Sequence, residues 1–320
     1  MDTLSDTIHV VLSCTNRKRE TAPDFPLLRD VPGDVEDRAL AWTTAIDGAT
    51  PRVRAEDLYV GEYWRAGQDF VDTARDRFGI DVWVMSAGLG LVRSSALVCA
   101  YSATLTRGHP DSVVQPGAVG TPTSIRRRWW SALATWPGPS GAGQPRSLAD
   151  VAAGDPAATI AVVAGPDYID AATDDLVRTR EALAQPDQLV IFSSRRSPSD
   201  IAESTVTVPG RLRTVLGGSM ASTGPRAARA VIEALPRGEP LRLERARSVI
   251  TTLDRSASPL PKFDRKRMED DEISEWIGEL IANEPSTTKS VALRTFRGGG
   301  MACEQDRFGR LFEDVTGVVQ

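Results

Sequence analysis

Cys14 is the residue whose type and setting most directly suggest chemistry. It follows the apolar run Thr7-Ile8-His9-Val10-Val11-Leu12 and lies in Ser13-Cys14-Thr15-Asn16-Arg17-Lys18-Arg19. A thiol beside Arg17, Lys18 and the exposed N–H groups of a strand end can be held as a thiolate, the form that attacks electrophilic carbon. A small inert thiol closing a strand, with the basic residues on a solvated loop, fits the same residues equally well. Asp57 and Tyr59, in Ala55-Glu56-Asp57-Leu58-Tyr59-Val60-Gly61, could transfer a proton or hold a substrate amide. An Asp and a Gly ahead of a helix are also common entry residues, and on local grounds that role is the stronger.

Two glycine segments offer backbone to a ligand. Ser86-Ala87-Gly88-Leu89-Gly90-Leu91-Val92 follows a strand and could approach a sugar, base or phosphate, with Ser86 and Gly88 as the contacts. It matches neither glycine-rich nucleotide fingerprint. Gly217-Gly218-Ser219 precedes a helix, whose N-terminus attracts anions, so Gly218 and Ser219 are candidate ligands. Tyr101-Ser102-Ala103-Thr104-Leu105 could lend the hydroxyls of Tyr101 and Ser102 to a pocket, although a turn with one core leucine explains it too. His109, before Pro110, reads as a surface loop residue, and Cys303 as core of an amphipathic helix.

Two basic clusters stand out. Arg126-Arg127-Arg128-Trp129-Trp130 combines charge with aromatic faces, as phosphate and stacking contacts do. A packed helix with a basic edge is the competing explanation. Near the end, Lys289, Arg294, Arg297, Arg307 and Arg310 span two expected helices joined by Gly298-Gly299-Gly300, compatible with a helix-turn-helix reader or a phosphate-contacting module. From Pro261 to Gln320 nine basic residues face twelve acidic ones, a net of −3, so only a local face with Glu269 to Glu272 turned away could bind nucleic acid. A packing or partner module fits as well.

The elements that must position these residues follow from periodicity. Thr7 to Leu12, Ile80 to Met85, Thr159 to Ala164 and Gln188 to Phe192 read as buried strands, each released into small polar residues. Helices are expected over 35–46, 62–78, 168–183 and 225–235. This alternation predicts an α/β fold with a mostly parallel sheet flanked by helices, which places ligands at the carboxyl ends of strands. Pro137 to Arg146 and Ser147 read as a flexible surface insertion. Helices alone are expected after about residue 262, giving an α/β domain over 1–255 and a small all-helical module over 262–320.

Composition narrows the classes. The 320 residues carry a net charge of −5, which excludes a basic nucleic-acid coat. Two histidines and three scattered cysteines, Cys14, Cys99 and Cys303, lack the spacing of a zinc ligand set or a disulfide framework. No metal or cofactor is expected, and reduced thiols suit a cytoplasm. The start Met1 to Asp6 lacks a basic leader segment, and no apolar run approaches the ~18–20 residues of a membrane helix, so neither leader nor span is expected.

Several of these segments fall in a familiar order: Ser13-Cys14 with Lys18, Ala55 to Gly61, Ser86 to Val92, Tyr101 to Leu105, and Ala164-Gly165-Pro166-Asp167-Tyr168. That order, over roughly residues 7 to 235, resembles the YaaA-like superfamily and the amidotransferase core of archaeosine synthases. The Pro-Cys-Ser-x-x-Lys motif of the latter looks like Ser13 to Lys18, with Ser13 in place of the proline. The resemblance implies work on nucleobases, DNA binding, and 7-cyano-7-deazaguanine as the substrate type. A bacterial relative acting on that base would be similar to the DpdC-like proteins of DNA 7-deazaguanine modification, which turn the nitrile into an amide, and would work beside other proteins of that system.

On this reading Cys14 attacks the nitrile, Lys18 or Arg17 supports the thiolate, and Asp57 shuttles protons or holds the base edge. Ser13, Thr15, Asn16, Tyr59, Ser86, Gly88, Tyr101, Ser102, Gly218 and Ser219 then bind substrate. Arg126, Arg127, Arg128, Trp129, Arg294 and Arg297 contact nucleic acid, DNA rather than RNA. Two alternatives use the same residues: a base- or nucleoside-cleaving hydrolase relying on Asp57, and a non-enzymatic DNA-binding stress or defence protein.

Overall fold

A strand with no polar alternation has to be covered on both faces. Thr7–Ser13 (β1) meets that demand at the centre of a six-stranded sheet, buried from Ile8 to Ser13. The computed structural model describes residues 7–19, 25–50, 53–139, 141, 143–195, 197–261 and 264–317. Outside them lie residues 1–6, where no leader is expected, Ser140 and Ala142 of the expected insertion, and Lys262 and Phe263 near the domain break.

Val35–Gly48 (α1) and Glu62–Arg75 (α2) lead to Gly79–Ser86 (β2), which returns as Gly90–Arg93 (β3). Pro122–Thr135 (α3) and Leu148–Gly154 (α4) precede Thr159–Val163 (β4). Pro166–Ala171 (α5) and Thr173–Ala182 (α6) precede Leu189–Ser193 (β5). Thr205–Thr207 (β6), Thr223–Ala234 (α7) and Leu243–Ser256 (α8) complete the first of two compact units, Met1–Pro259. The helices begin where side chains satisfy their free N–H groups. Asp34 accepts from Glu36 and Asp37 ahead of α1, Thr121 accepts from Ser124 ahead of α3, and Ser147 and Asp150 form a capping box on α4.

The sheet order is β3-β2-β1-β4-β5-β6, parallel except for β3, as the strand and helix alternation predicts. From β1 the chain moves to β2 on one side and later returns to β4 on the other. The carboxyl ends of β1 and β4 therefore border the topological switch point, where open α/β sheets form a crevice. Gly67 of α2 packs so close to β1 that a Cβ there would lie 2.8 Å from Leu12 Cδ1.

The structure departs from the sequence expectation in places. Gly90-Leu91-Val92 is strand rather than loop: Gly90, at φ +68°, starts an antiparallel return that pairs Ser86 with Gly90 and Trp83 with Arg93. The expected flexible insertion holds Arg146, which is buried.

The second unit, Leu260–Gln320, contains Asp270–Asn283 (α9), Lys289–Gly298 (α10) and Gln305–Thr316 (α11). Ile273, Ile277, Leu293, Phe296, Phe308 and Phe312 form its core with Cys303, while Trp276 meets Phe296 edge-on at 5.0 Å. It is not helices alone, because Lys266–Arg267 pairs in parallel with Met301–Ala302. The acidic run starting at Glu269 caps α9, with Glu269 and Glu272 in a capping box at the end of the helix that favours negative charge.

In the first unit a buried carboxylate ties two loops together. Arg29 donates from its backbone N (3.0 Å) and Nε (2.8 Å) to Asp111 Oδ1, and Ser102 Oγ donates to Oδ2 at 2.7 Å. Ser102, a candidate substrate ligand, thus serves an internal network. Burial pushes the Asp111 carboxyl up, but the hydrogen bonds from Arg29 and Ser102 outweigh it and hold it at about 2. A carboxyl depressed on folding stabilises the native state above its ordinary value of 3.8, and that contribution is lost as pH falls through about 2. Asp111→Asn is expected to lower urea stability at neutral pH by about 2 kcal/mol. It should also flatten the fall in stability between about pH 4 and pH 2; an acid limb identical to wild type would refute this assignment.

Candidate active site

The carboxyl end of β1 is held by backbone pairing before any side chain acts. Cys14 N donates to Met85 O at 2.8 Å, extending the β1–β2 ladder by one residue. The chain then runs antiparallel to the segment after the helical turn Ala55–Leu58: Val60 N donates to Arg17 O (3.1 Å) and Arg19 N to Leu58 O (2.8 Å), with Lys18 opposite Tyr59. Thr15 Oγ1 fixes the bend by donating to Arg17 O at 2.8 Å and Val60 O at 3.0 Å. This pairing brings Lys18 and Tyr59 to Cys14.

Around the Cys14 sulfur the structure assembles hydroxyls. Cys14 Sγ lies 3.0 Å from Tyr168 Oη, on α5 just beyond β4, and accepts from Tyr101 Oη at 3.6 Å. Tyr101 Oη is 2.6 Å from Ser86 Oγ and 3.0 Å from Tyr59 Oη. Lys18 Nζ sits over the Tyr101 ring, 4.3 Å from its centroid. Tyr63 of α2 spans the switch point, donating to Val163 O at 2.7 Å and bonded to Ser13 Oγ at 2.9 Å. Cys14 is only 6% exposed, and Tyr59, Ser86 and Tyr101 are buried, whereas Lys18, Tyr63 and Tyr168 are half-buried.

Electrostatics follow from this enclosure. Burial, reinforced by the neighbouring Cys14 sulfur, pushes Tyr101 and Tyr168 well above the usual phenol value. Burial likewise raises Tyr59, and lifts Tyr63 to about 12. The four phenols are therefore neutral at physiological pH and able to donate. Burial lowers Lys18, partly opposed by Cys14 and Asp111. A thiol ringed by neutral phenols beside a desolvated amine can attack an electrophilic carbon and deliver a proton to the atom that gains charge.

The turn that carries Ser86 is gripped from three directions. Trp129 Nε1 of α3 donates to Ala87 O at 2.7 Å and Trp42 Nε1 of α1 to Gly88 O at 2.7 Å. Arg146 Nη2 donates to Leu89 O at 2.6 Å. Leu89 N in turn donates to Ser86 Oγ at 2.9 Å. Gly88 is required by close approach: a Cβ there would lie 2.6 Å from the Tyr101 ring and 3.1 Å from Trp42.

Of the expected site residues, Ser13, Cys14, Lys18, Tyr59, Ser86, Gly88 and Tyr101 converge here, with Thr15 as a backbone brace. Asn16 is exposed on the loop. Asp57 is exposed on the Ala55–Leu58 turn, facing a surface groove with Arg19, Trp64 and Arg65, and makes no hydrogen bond to the cluster among the described residues. Gly218 and Ser219 do surround an anion, but it is the protein's own: Ser219 N donates to Glu62 Oε1 at 2.8 Å and Ser222 Oγ at 2.9 Å. The hydrogen bond from Ser219 N and those from nearby hydroxyls hold Glu62 below the usual carboxylate range.

Burial of Arg126 and Trp129 corrects their reading as a nucleic-acid surface, and Arg127 and Arg128, half-buried, are engaged in ion pairs. Trp129 is fully buried, so it cannot stack on a base. Arg126 is buried, donating to Leu105 O at 2.9 Å and pairing with Asp167 at 3.1 Å. Arg127 pairs with Asp174 at 3.1 Å, and Arg128 forms a two-pronged pair with Glu36. Arg294 and Arg297 lie in the second unit.

Sequence reasoning does not single out Tyr63, and it quotes Tyr168 only as the end of the Ala164 to Tyr168 segment, with no site role. Their signal is positional: each lies in the first turn of a helix, shortly after Gly61 or Gly165. Among the described residues no three His, Cys, Asp or Glu side chains converge as metal ligands would. Comparison with protein-family models, curated proteins and solved structures yields no match.

Gly88→Ala would drive a methyl into the Tyr101 ring. The expected cost is roughly 1–3 kcal/mol of urea stability, as for overpacked cores. Tyr101→Leu in the Gly88→Ala background should recover part of that loss, and an additive double variant would refute the proposed contact.

Proposed function

We propose that this protein is a metal-independent enzyme that modifies a nucleobase in DNA, hydrating the 7-cyano group of a 7-deazaguanine to the amide through Cys14. The observation that carries this reading is the Cys14 sulfur at the switch point, 3.0 Å from the Tyr168 hydroxyl, with Tyr101 and Lys18 beside it. The resemblance of the ordered segments to the YaaA-like superfamily and the archaeosine synthase core supplies the substrate class.

The step balances with water as the only co-reactant. The Cys14 sulfur bonds to the nitrile carbon while its proton passes to the nitrile nitrogen through the Tyr168 hydroxyl, giving a thioimidate. Water adds to that carbon, the C–S bond breaks, the sulfur regains a proton, and the amide leaves. Neutral phenols suit this sequence because they donate to the developing nitrogen anion and recover the proton afterwards. Lys18 adds positive charge beside a sulfur that is anionic during the exchange. Cys14 is buried, so the base has to reach it extruded from the duplex, as base-acting enzymes require. The hydrolase alternative depends on a carboxylate at the reacting centre, and Asp57, on an exposed turn, makes no hydrogen bond to the cluster among the described residues.

Nucleoside mass spectrometry of DNA containing 7-cyano-7-deazaguanine tests this reading. Wild type is expected to add one water to the modified nucleoside. Cys14→Ala should abolish the gain, and Tyr168→Phe should slow it by roughly a hundredfold, the scale of a lost proton donor. An unchanged nucleoside under conditions of saturating protein, or full turnover by Cys14→Ala, would overturn it.

A further inference from the structure

The second unit has a negative total charge, yet its charges are sorted. A groove between α10 and α11 is lined by five cations, Arg265, Lys289, Arg294, Arg297 and Arg310, against one carboxylate, Glu313. That carboxylate is already engaged, since Lys289 Nζ donates to Glu313 Oε1 at 2.6 Å. Arg297 Nη2 donates to Cys303 O at 2.9 Å, bracing the glycine turn. Arg294 and Arg310 are exposed, one on each helix, and neither has a hydrogen-bond or ion-pair partner among the described residues. Gly298 and Gly309 line the same groove, contributing no side chain to fill it. Elsewhere in the unit, Asp270 accepts from Arg307 Nε at 2.6 Å and Glu272 caps α9, so neither carboxylate lines the groove.

We propose that this groove binds the phosphodiester backbone of a nucleic acid, with Arg294 and Arg310 as its two free phosphate contacts. Planar guanidinium forks match phosphate oxygens, and exposed arginines without internal partners give up no existing bond to make that contact. An acidic peptide is the competing polyanion. It would need an apolar or aromatic anchor for affinity, whereas Leu293, the groove's large apolar side chain, is buried in the unit's own core. Phosphate contacts need no anchor, because each releases counterions from the nucleic acid. The proposal shifts the contact pair expected from sequence: Arg297 is a brace, and Arg310 takes its place.

The inference is independent of the Cys14 chemistry, because it is read with unmodified DNA. The full chain is titrated into a fluorescein-labelled mixed-sequence duplex of about 20 base pairs at several salt concentrations, with anisotropy as the signal. Wild type is expected to bind with a salt-dependent affinity. Arg294→Glu/Arg310→Glu should weaken binding at least tenfold and reduce the slope of log K against log salt by about 2, since each lost phosphate contact removes about 0.9. Arg294→Lys/Arg310→Lys should retain most of the slope, and thermal unfolding confirms that both variants fold. Absent duplex binding by wild type, an unchanged slope in the charge-reversed variant, or preferential binding of a poly-glutamate peptide would each overturn the proposal.

Discussion

Three consecutive carbonyls, those of Ala87, Gly88 and Leu89, each accept a hydrogen bond from a side chain of a different segment: Trp129, Trp42 and Arg146. A turn between paired strands normally leaves such groups to water. Here the turn is buried, so unpaired carbonyls would cost on the order of 1–3 kcal/mol each. Satisfying them from outside fixes α1, α3 and the segment before α4 to one point. It also fixes Ser86, whose hydroxyl takes the Leu89 N–H and stands 2.6 Å from Tyr101 Oη. The orientation of the phenol beside the Cys14 sulfur thus depends on a turn whose bonds are made by distant helices.

Arginine is used throughout as a fastener for irregular backbone. Arg146 grips Leu89 and Leu91 from one side and Trp136 O at 3.0 Å from the other, and burial lowers its guanidinium to about 10. Gly90 and Gly138 crowd it closely, so the pocket admits a guanidinium and little else. Arg38, also buried, donates to Val31 O (2.9 Å), Val113 O (3.2 Å) and Leu28 O (3.2 Å), joining two loops to α1. Five donors on a planar fork can satisfy several carbonyls that no regular ladder reaches. The same property makes arginine a phosphate ligand, which is why Arg126 to Arg128 read as a nucleic-acid surface when only their sequence is considered. Partners decide between the two uses: Asp167, Asp174 and Glu36 are distant in sequence and close in space.

Legibility tracks the range of the interaction. The buried strands Thr7–Ser13, Thr159–Val163 and Leu189–Ser193 were readable because continuous burial needs a continuous apolar run. The place of Cys14, Ser86 and Gly88 at strand ends was readable for the same reason. Their mutual contact was not, since it depends on strand order, and Tyr168 reaches the site because β4 returns beside β1. Gly88 looked like a flexible ligand loop, whereas its missing side chain makes room for Tyr101 and Trp42. Gly218 and Ser219 read as ligand contacts at a helix start, and local sequence could not name Glu62 as the group that occupies the place.

The start of α7, a natural phosphate position in an α/β sheet, is taken by Glu62, whose carboxylate also lies 3.8 Å from Arg226. A Cβ on Gly218 would lie 2.6 Å from both Glu62 Oε1 and Arg226 Nε, so the loop closes tightly around its own carboxylate. Tyr63, next in sequence, is thereby aimed at Ser13 and Val163, so the internal anion serves the geometry of the site. A phosphate entering here would have to displace the carboxylate that positions this tyrosine. A phosphate at α7 would thus disturb the residue beside Tyr63, and the economical arrangement is to bind phosphates with cations that position nothing else. Arg294 and Arg310, exposed and without internal partners among the described residues, meet that condition, whereas Arg126 to Arg128 do not.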